Sequence, residues 1–235
     1  MTSPGEVPLL EGLATTRTIR RYTADPIPDA DLSAILWHAT RAPSGSNRQP
    51  VRYLVLRDGP KAIEAKRLLG DTFRTGWAAK RRADGYDEGR GAVADTPKAR
   101  VAATMQHYVD HFEDIPVVVL VCLVRYRAAN PSEGASVYPA CQNLLLAARG
   151  LGYGGALTMW HGAVEPQLRD LFAVPDDVAL AACITLGVPA GRHGPVRRKP
   201  LVDVVFEEGW GAATEWAADP DGAEHSGWTA RHPDA

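Results

Sequence analysis

Apolar positions along this chain fall into two patterns: helical stripes in the flanking segments, and short runs that are apolar at nearly every position. Residues 28–41 put Leu32, Ile35, Leu36 and Ala39 on one helical face, with Asp29 and Asp31 in a first turn that favours negative charge. Pro43 stops that helix. Residues 51–57, rich in Val, Leu and Tyr, predict a strand closed by Asp58-Gly59-Pro60. A charged helix is predicted over 61–82. A second starts at Thr96-Pro97, with Thr as cap and Pro at the first helical position, and runs to about Phe112. Between them, residues 83–95 carry four acidic residues and three glycines and predict no regular element. Residues 117–124 and 178–186 are the continuous apolar runs, each suited to a strand buried on both faces. Further helices are predicted over 7–15, 136–149 and 165–172, and an extended segment over 154–159. No internal repeat is visible.

Composition narrows the class. The 235 residues provide ample mass for a buried core, and 45% apolar with 23% charged residues is the balance of a globular protein. The formal net charge of −2 gives no global field directed at nucleic acid or membrane. The longest apolar run, Ile115 to Val124, is far short of the ~20 residues of a membrane helix. The start of the chain, Met1 to Glu6, lacks the basic and apolar regions of a signal peptide. Cys122, Cys141 and Cys183 lie in apolar surroundings, an odd, unclustered set that reads as reduced buried thiols without a zinc site. A cytoplasmic protein is the expectation. After Trp210 periodicity is lost, and 212–235 reads as a tail that is mobile or wraps a partner, although Trp216 and Trp228 argue for some packing.

Two segments carry chemistry. Thr16-Arg17-Thr18-Ile19-Arg20-Arg21-Tyr22 combines cations and hydroxyls suited to a phosphate and a polar chain, because the arginine fork donates paired, charge-assisted hydrogen bonds. Ala42-Pro43-Ser44-Gly45-Ser46-Asn47-Arg48-Gln49-Pro50 is a turn-forming loop able to bring backbone N–H groups to a flat ligand. Taken singly, the first reads equally as a solvated basic turn and the second as an ordinary helix-to-strand turn. Gly150-Leu151-Gly152-Tyr153-Gly154-Gly155 follows a helix instead of opening one, so it fails the context of a dinucleotide fingerprint. His107 and His111 have metal-compatible spacing, but neither an intervening Glu of the His-Glu-x-x-His type nor a third ligand accompanies them.

At these residues the chain resembles the nitroreductase-like flavoproteins, with their Arg-Arg-Ser-x-Arg-x-Phe and Ala-Pro-Ser-x-x-Asn-x-Gln-Pro patterns. Arg198-Lys199-Pro200-Leu201-Val202-Asp203-Val204-Val205 is similar to the family's closing Arg-x-Pro-Leu-x-x-Val-Val, and Trp210 also fits. The resemblance implies one domain over 1–211 with an α+β, three-layer-like fold, a mostly antiparallel central sheet flanked by helices, and an intertwined homodimer. It implies FMN as cofactor and NADPH or NADH as electron donor. By the same resemblance, Arg17, Thr18 and Arg20 take phosphate, ribityl chain and ring-edge carbonyls; Ser44 and Asn47 border the flavin from the partner subunit; and the backbone of Met159 and Trp160 faces flavin N5 and O4.

This sequence departs from the pattern at two places. The first arginine of the basic motif is Thr16, whose hydroxyl is a weaker phosphate ligand, so Arg197 or Arg198 is the expected source of charge. Val51 replaces the aromatic residue that often follows the second motif. Met159 and Trp160 read alternatively as core, and His161 as either a proton donor or a packed neutral residue. Residues 203–206 are expected to form a strand exchanged with the partner.

The implied activity is transfer of hydride from NAD(P)H to flavin N5 and on to an electron-poor small molecule, a nitroaromatic, quinone or conjugated carbonyl, in a ping-pong cycle. The flavin carries the redox chemistry and no catalytic side chain is required. Relatives that dehydrogenate, dehalogenate or fragment flavin remain open. So does a protein that sequesters flavin with little turnover, motivated by residues 61–114 as a lid, and so does a cofactor-free interaction domain.

Overall fold

The computed structural model describes residues 7–225; Trp228, the end of the expected tail and residues 1–6 lie outside them. Helices α1 (Leu9–Thr15), α2 (Asp29–Ala39), α3 (Pro60–Ala83), α4 (Pro97–Asp110), α5 (Tyr138–Gly150) and α6 (Glu165–Phe172) surround strands β1 (Val51–Leu56), β2 (Val117–Val124), β3 (Gly154–Thr158) and β4 (Val178–Gly187). The strands form one sheet in the order β1-β2-β4-β3. All three pairings are antiparallel.

The all-apolar strands follow from helices on both sheet faces. One face packs Leu120 and Cys122 against Leu69, Phe73 and Trp77 of α3 and Val109 of α4. The other packs Val119 and Val121 against Ile35 of α2 and Leu144 of α5. Facing β2, the pairing of β4 shifts between Val121 with Ala182 and Cys122 with Leu180, which leaves Ala181 as an extra residue. That bulge reverses the parity of β4. Leu180 and Cys183 thereby face one layer, while Ala182 and Ile184 face the other.

Residues 61–114 chiefly form this structural layer. Phe73, Trp77, Val109 and Phe112 are almost completely buried. Trp77 donates through Nε1 to Gln106 Oε1 at 3.0 Å, which fastens α3 to α4. The buried Lys66 donates from Nζ to the Ile115 carbonyl at 2.6 Å, tying α3 to the start of β2. Only the connection at 84–96 stands outside, as turns and a short 3₁₀ segment.

Near its C-terminal end β4 carries one buried polar side chain, Thr185, which links three parts of the fold. Tyr108 Oη of α4 lies 3.1 Å from Thr185 Oγ1. Tyr22 Oη lies 2.8 Å from the same oxygen, and donates to the Ile19 carbonyl at 2.6 Å. Each hydroxyl has one proton, so the order that satisfies the series is Tyr108 to Thr185, Thr185 to Tyr22, and Tyr22 to Ile19. Burial pushes both phenols well above their ordinary pKa, so they remain neutral donors.

The expected strand at 203–206 is not present. Leu201–Asp203 is a 3₁₀ turn whose Leu201 carbonyl accepts from the N–H groups of Val204 and Val205. Pro200 presets its entry, and the Asp219 carboxylate accepts the Leu201 N–H at 3.2 Å. Residues 212–225 lie back along this segment: Trp216 Nε1 donates to Glu207 at 3.0 Å, and Arg198 N–H donates to the Glu224 carbonyl at 3.3 Å.

Thr185→Val should keep the side-chain shape while leaving the buried Tyr108 hydroxyl without its acceptor. The expected loss is about 1–3 kcal/mol of unfolding free energy, the cost of one buried unsatisfied donor. Equilibrium denaturation measures it, and an unchanged stability would rule out the hydroxyl series as a structural tie.

Candidate functional site

The basic run is held against the sheet by its backbone. Ile19 N–H donates to the Gly155 carbonyl at 2.9 Å, Thr23 N–H to Val188 at 2.9 Å, and Ala190 N–H to Arg21 at 3.0 Å. Glycines permit this approach. A Cβ on Gly154 would stand 2.5 Å from Ile19 Cγ1, and one on Gly187 would stand 2.8 Å from the Tyr22 ring. Gly152, at φ 88°, instead ends α5: its N–H reaches the Arg149 carbonyl and the Tyr153 N–H reaches Ala148, as in a Schellman cap.

This docking leaves the candidate side chains of the run available. Arg17 and Thr18 are exposed and Arg20 is half-buried. Among the described residues neither Arg17 nor Arg20 is paired with a carboxylate. The Arg17 N–H donates to His193 Nδ1 at 3.2 Å. Thr16 is different, because its hydroxyl donates to the Gly12 carbonyl at 2.6 Å and caps the end of α1.

The third predicted group lies at the far end of β3. Met159 is four steps along the chain from Gly155, about 13 Å at ~3.3 Å per residue, a separation that suits an elongated ligand. The Trp160 ring packs edge-on to Phe73 at 5.4 Å and against Gly76 of α3, making that side chain part of the core's margin. Met159 stays about half exposed, and the Trp160 N–H has only a long 3.5 Å contact with Thr158 Oγ1. His161 is buried and its Nε2 lies 2.9 Å from the Leu180 carbonyl. That bond requires the proton on Nε2, and Nδ1 is buried without a hydrogen-bond partner among the described residues, so His161 is packed beneath the surface.

Arg197 and Arg198 are brought to this end of the molecule by backbone only. Gly194 N–H and Val196 N–H donate to Thr15 and Ala14 at 3.2 and 3.1 Å. The Arg197 side chain pairs with Glu224 at 2.9 Å, and Arg198 donates to the Arg197 carbonyl.

The loop with Ser44 and Asn47 is elsewhere. It enters β1, and the order β1-β2-β4-β3 puts it at the sheet edge opposite the basic run. Three successive spacings of ~4.8 Å separate the edges by at least about 14 Å. One chain therefore does not unite the two halves. The loop is strained, with φ of 52°, 50° and 49° at Ser46, Asn47 and Gln49. It is held by Ser44 Oγ, which accepts the Gln49 N–H at 2.9 Å, and by Ser136 Oγ, which accepts the Gly45 N–H at 3.0 Å.

Sequence reasoning did not place the cleft beside Arg20. Its volume is about 440 Å³, and Tyr22, His107, Tyr108 and His111 line it with Arg20. Thr185, alone polar inside its apolar strand, was the available signal for the element that organises these walls. A pair of unpaired cations, an exposed hydroxyl and an adjoining cleft fit a phosphorylated ligand with a polar ring.

The nitroreductase family model matches residues 13–188, which contains every element from the end of α1 to β4. The chain belongs to the nitroreductase family. It is 30% identical to the NADH dehydrogenase of Thermus thermophilus over 208 residues, 81% of this chain and 91% of that protein. Among solved structures, a candidate nitroreductase from Desulfovibrio desulfuricans in complex with FMN aligns with TM-score 0.61 and 28% identity, over 87% of this chain and 98% of that one. The Vibrio harveyi NADPH:FMN oxidoreductase complexed with NAD+ shares the fold at TM-score 0.61 and 22% identity, over 85% and 76% of the two chains. This nitroreductase-family chain thus has the expected α+β architecture. Among its described residues no helix is long and apolar enough to cross a membrane.

Gly155→Ala is predicted to disturb the docking of the basic run. Its Cβ would lie 2.7 Å from the Thr185 carbonyl and 2.7 Å from Leu145 Cδ2. Overpacking of this kind costs about 1–3 kcal/mol. A thermal melt should fall accordingly, with faster proteolysis near residues 16–22; wild-type behaviour in both would exclude the close approach.

Proposed function

We propose that this chain is an FMN-dependent oxidoreductase that takes hydride from NADH or NADPH and passes it to an electron-poor small molecule, in a homodimer with its sites between subunits. Nitroaromatics, quinones and conjugated carbonyls are the acceptor classes. The observation that carries the reading is the pair Arg17 and Arg20, without carboxylate partners among the described residues, on a run that Ile19 ties to the start of β3, the strand that leads to Met159 and Trp160. FMN, when bound, supplies a ring that accepts hydride at N5.

The remaining tasks belong to the chain. Arg17 and the Thr18 hydroxyl hold the phosphate and ribityl end, and Arg20 faces the carbonyl edge of the ring. Arg197 and Arg198 reinforce the phosphate end once their present partners are exchanged. The backbone at Met159 and Trp160 directs N–H dipoles at the reacting edge, where fixed dipoles favour the added electron density. Ser44 and Asn47 of a second copy form the opposite wall, which excludes water and sets the stacking distance of donor and acceptor.

A second copy also accounts for the exposed apolar surface. Helix α1 turns Leu9, Leu10 and Leu13 outward, with Leu10 at 77% exposure, and Trp37, Tyr138 and Leu151 are exposed on and beside α2 and α5. Exposed large apolar side chains, where they gather in a patch, mark an interaction site. Flavin sequestration without turnover is the second reading, supported by Asp71, Thr72, Thr75 and Gly76 of α3, which line a hollow together with Met159 and Trp160.

The direct test is a visible spectrum of the purified protein followed by anaerobic addition of NADH and NADPH. Prompt bleaching of a bound flavin is the expected result. A colourless protein that takes up no added FMN would overturn the proposal, and a flavin that both nicotinamides leave yellow would remove its donor half. Gel filtration should give a dimer, and a flavin-loaded monomer would refute the shared site. Arg20→Ala should weaken FMN binding by roughly 10- to 100-fold, the equivalent of one charged hydrogen bond of about 1.5–3 kcal/mol. Fluorescence titration reads this directly, and unaltered affinity would remove Arg20 from the site.

A further inference from the structure

The cleft beside Arg20 contains a histidine with no assigned task. The His107 ring is half-buried and makes no hydrogen bond among the described residues. Its neighbour His111 is occupied: Nδ1 lies 3.1 Å from Asp114. The two rings are 4.5 Å apart. Asp110 is likewise engaged, accepting from Gln106 at 2.9 Å. The position of His107 is well fixed, because the next residue, Tyr108, is anchored to Thr185 and through it to Tyr22 of the basic run. The same hydroxyl series therefore sets His107 and Arg20 on two walls of one cleft.

We propose that His107 faces the ring edge that Arg20 also faces, and that it takes up a solvent proton when the bound ring is reduced. This rests on the FMN reading above. Hydride from the nicotinamide brings two electrons and a proton, and the nicotinamide is oxidised. The negative charge then left at the carbonyl edge draws one further proton from solvent onto the free imidazole nitrogen. Nothing else is oxidised or reduced, and the imidazolium becomes the counter-charge of the reduced ring.

The surrounding groups set the pH window. Arg20, Arg21 and Tyr22 face His107 from the basic run, Tyr108, Asp110 and His111 from α4, and Asp114 from the turn that follows. Burial first, then His111 and Arg21, lower the His107 pKa from its ordinary value, and Asp110 opposes them weakly. His107 is therefore neutral at neutral pH beside an oxidised ring. A negative charge in the cleft raises its pKa. Uptake occurs between the lowered and the raised value, as suits the side chain that titrates near physiological pH.

The midpoint potential of the FMN-loaded protein, followed against pH, tests this. At two electrons a tenfold change in one proton equilibrium is about 30 mV. Wild type should show a steep segment of about 60 mV per pH unit, flanked by segments of about 30 mV. His107→Asn should give about 30 mV throughout. His111→Asn should keep the steep segment and move its lower break upward, because a repelling neighbour is gone. A steep segment retained in His107→Asn would put the second proton on the flavin and overturn the proposal, as would a wild type without one. These outcomes leave the FMN reading intact; a wild-type chain that binds no FMN would overturn both.

Discussion

The structure depends on one hydroxyl on a central strand. Thr185 is completely buried, and it receives Tyr108 from the α4 layer and gives to Tyr22 from the N-terminal run. Without it, α4 would meet this part of β4 through apolar contacts, which fix distance but not register, and the N-terminal run would keep only its backbone bonds to the sheet. Directional bonds at 3.1 and 2.8 Å set the register of both. The site follows from that, because Arg20 precedes Tyr22 by two residues and His107 directly precedes Tyr108. The polar series is tolerable in the core because every proton in it has an acceptor, the last being the Ile19 carbonyl.

Much of this was legible in the sequence. The helices at 29–39, 60–83 and 165–172 and the four strands appear where hydrophobic spacing and turn residues place them, because those signals are local. The direction of the strands was not local. Residues 117–124 and 178–186 are apolar at nearly every position, as in parallel sheets, yet the sheet is antiparallel with both faces covered by helices. Runs of this kind report burial and not direction. The Ala181 bulge was likewise hidden, since a uniformly apolar strand does not reveal a change of parity.

The departures have separate causes. Val204 and Val205 favour extended backbone, but Pro200 and the Asp219 carboxylate close a 3₁₀ turn just before them. A contact with a residue so far along the chain leaves no local signature. Residues 61–114 suggested a lid because the segment is long, and α3 also carries Leu69, Phe73 and Trp77 into the core, with most of its charge on the opposite side. Of the candidate site, the motifs located the cations and the loop, whereas the cleft wall at His107 required the packing of α4.

The sheet order also decides what kind of site this can be. The basic run lies beside β3 and the Ser44–Gln49 loop precedes β1, so the widest dimension of the sheet separates two segments that a flat cofactor would need on opposite sides. No rotation of side chains closes such a distance, and the core layers leave the sheet no freedom to fold on itself. Strain retained at Ser46, Asn47 and Gln49, so far from the cations, is consistent with the proposed role of this loop as a wall for another copy's ring. The exposed leucines of α1, the helix that leads directly into the basic run, point the same way: association that covers them fixes the segment holding Arg17 and Arg20. On the proposed dimeric reading, assembly and cofactor binding are one equilibrium in which each stabilises the other.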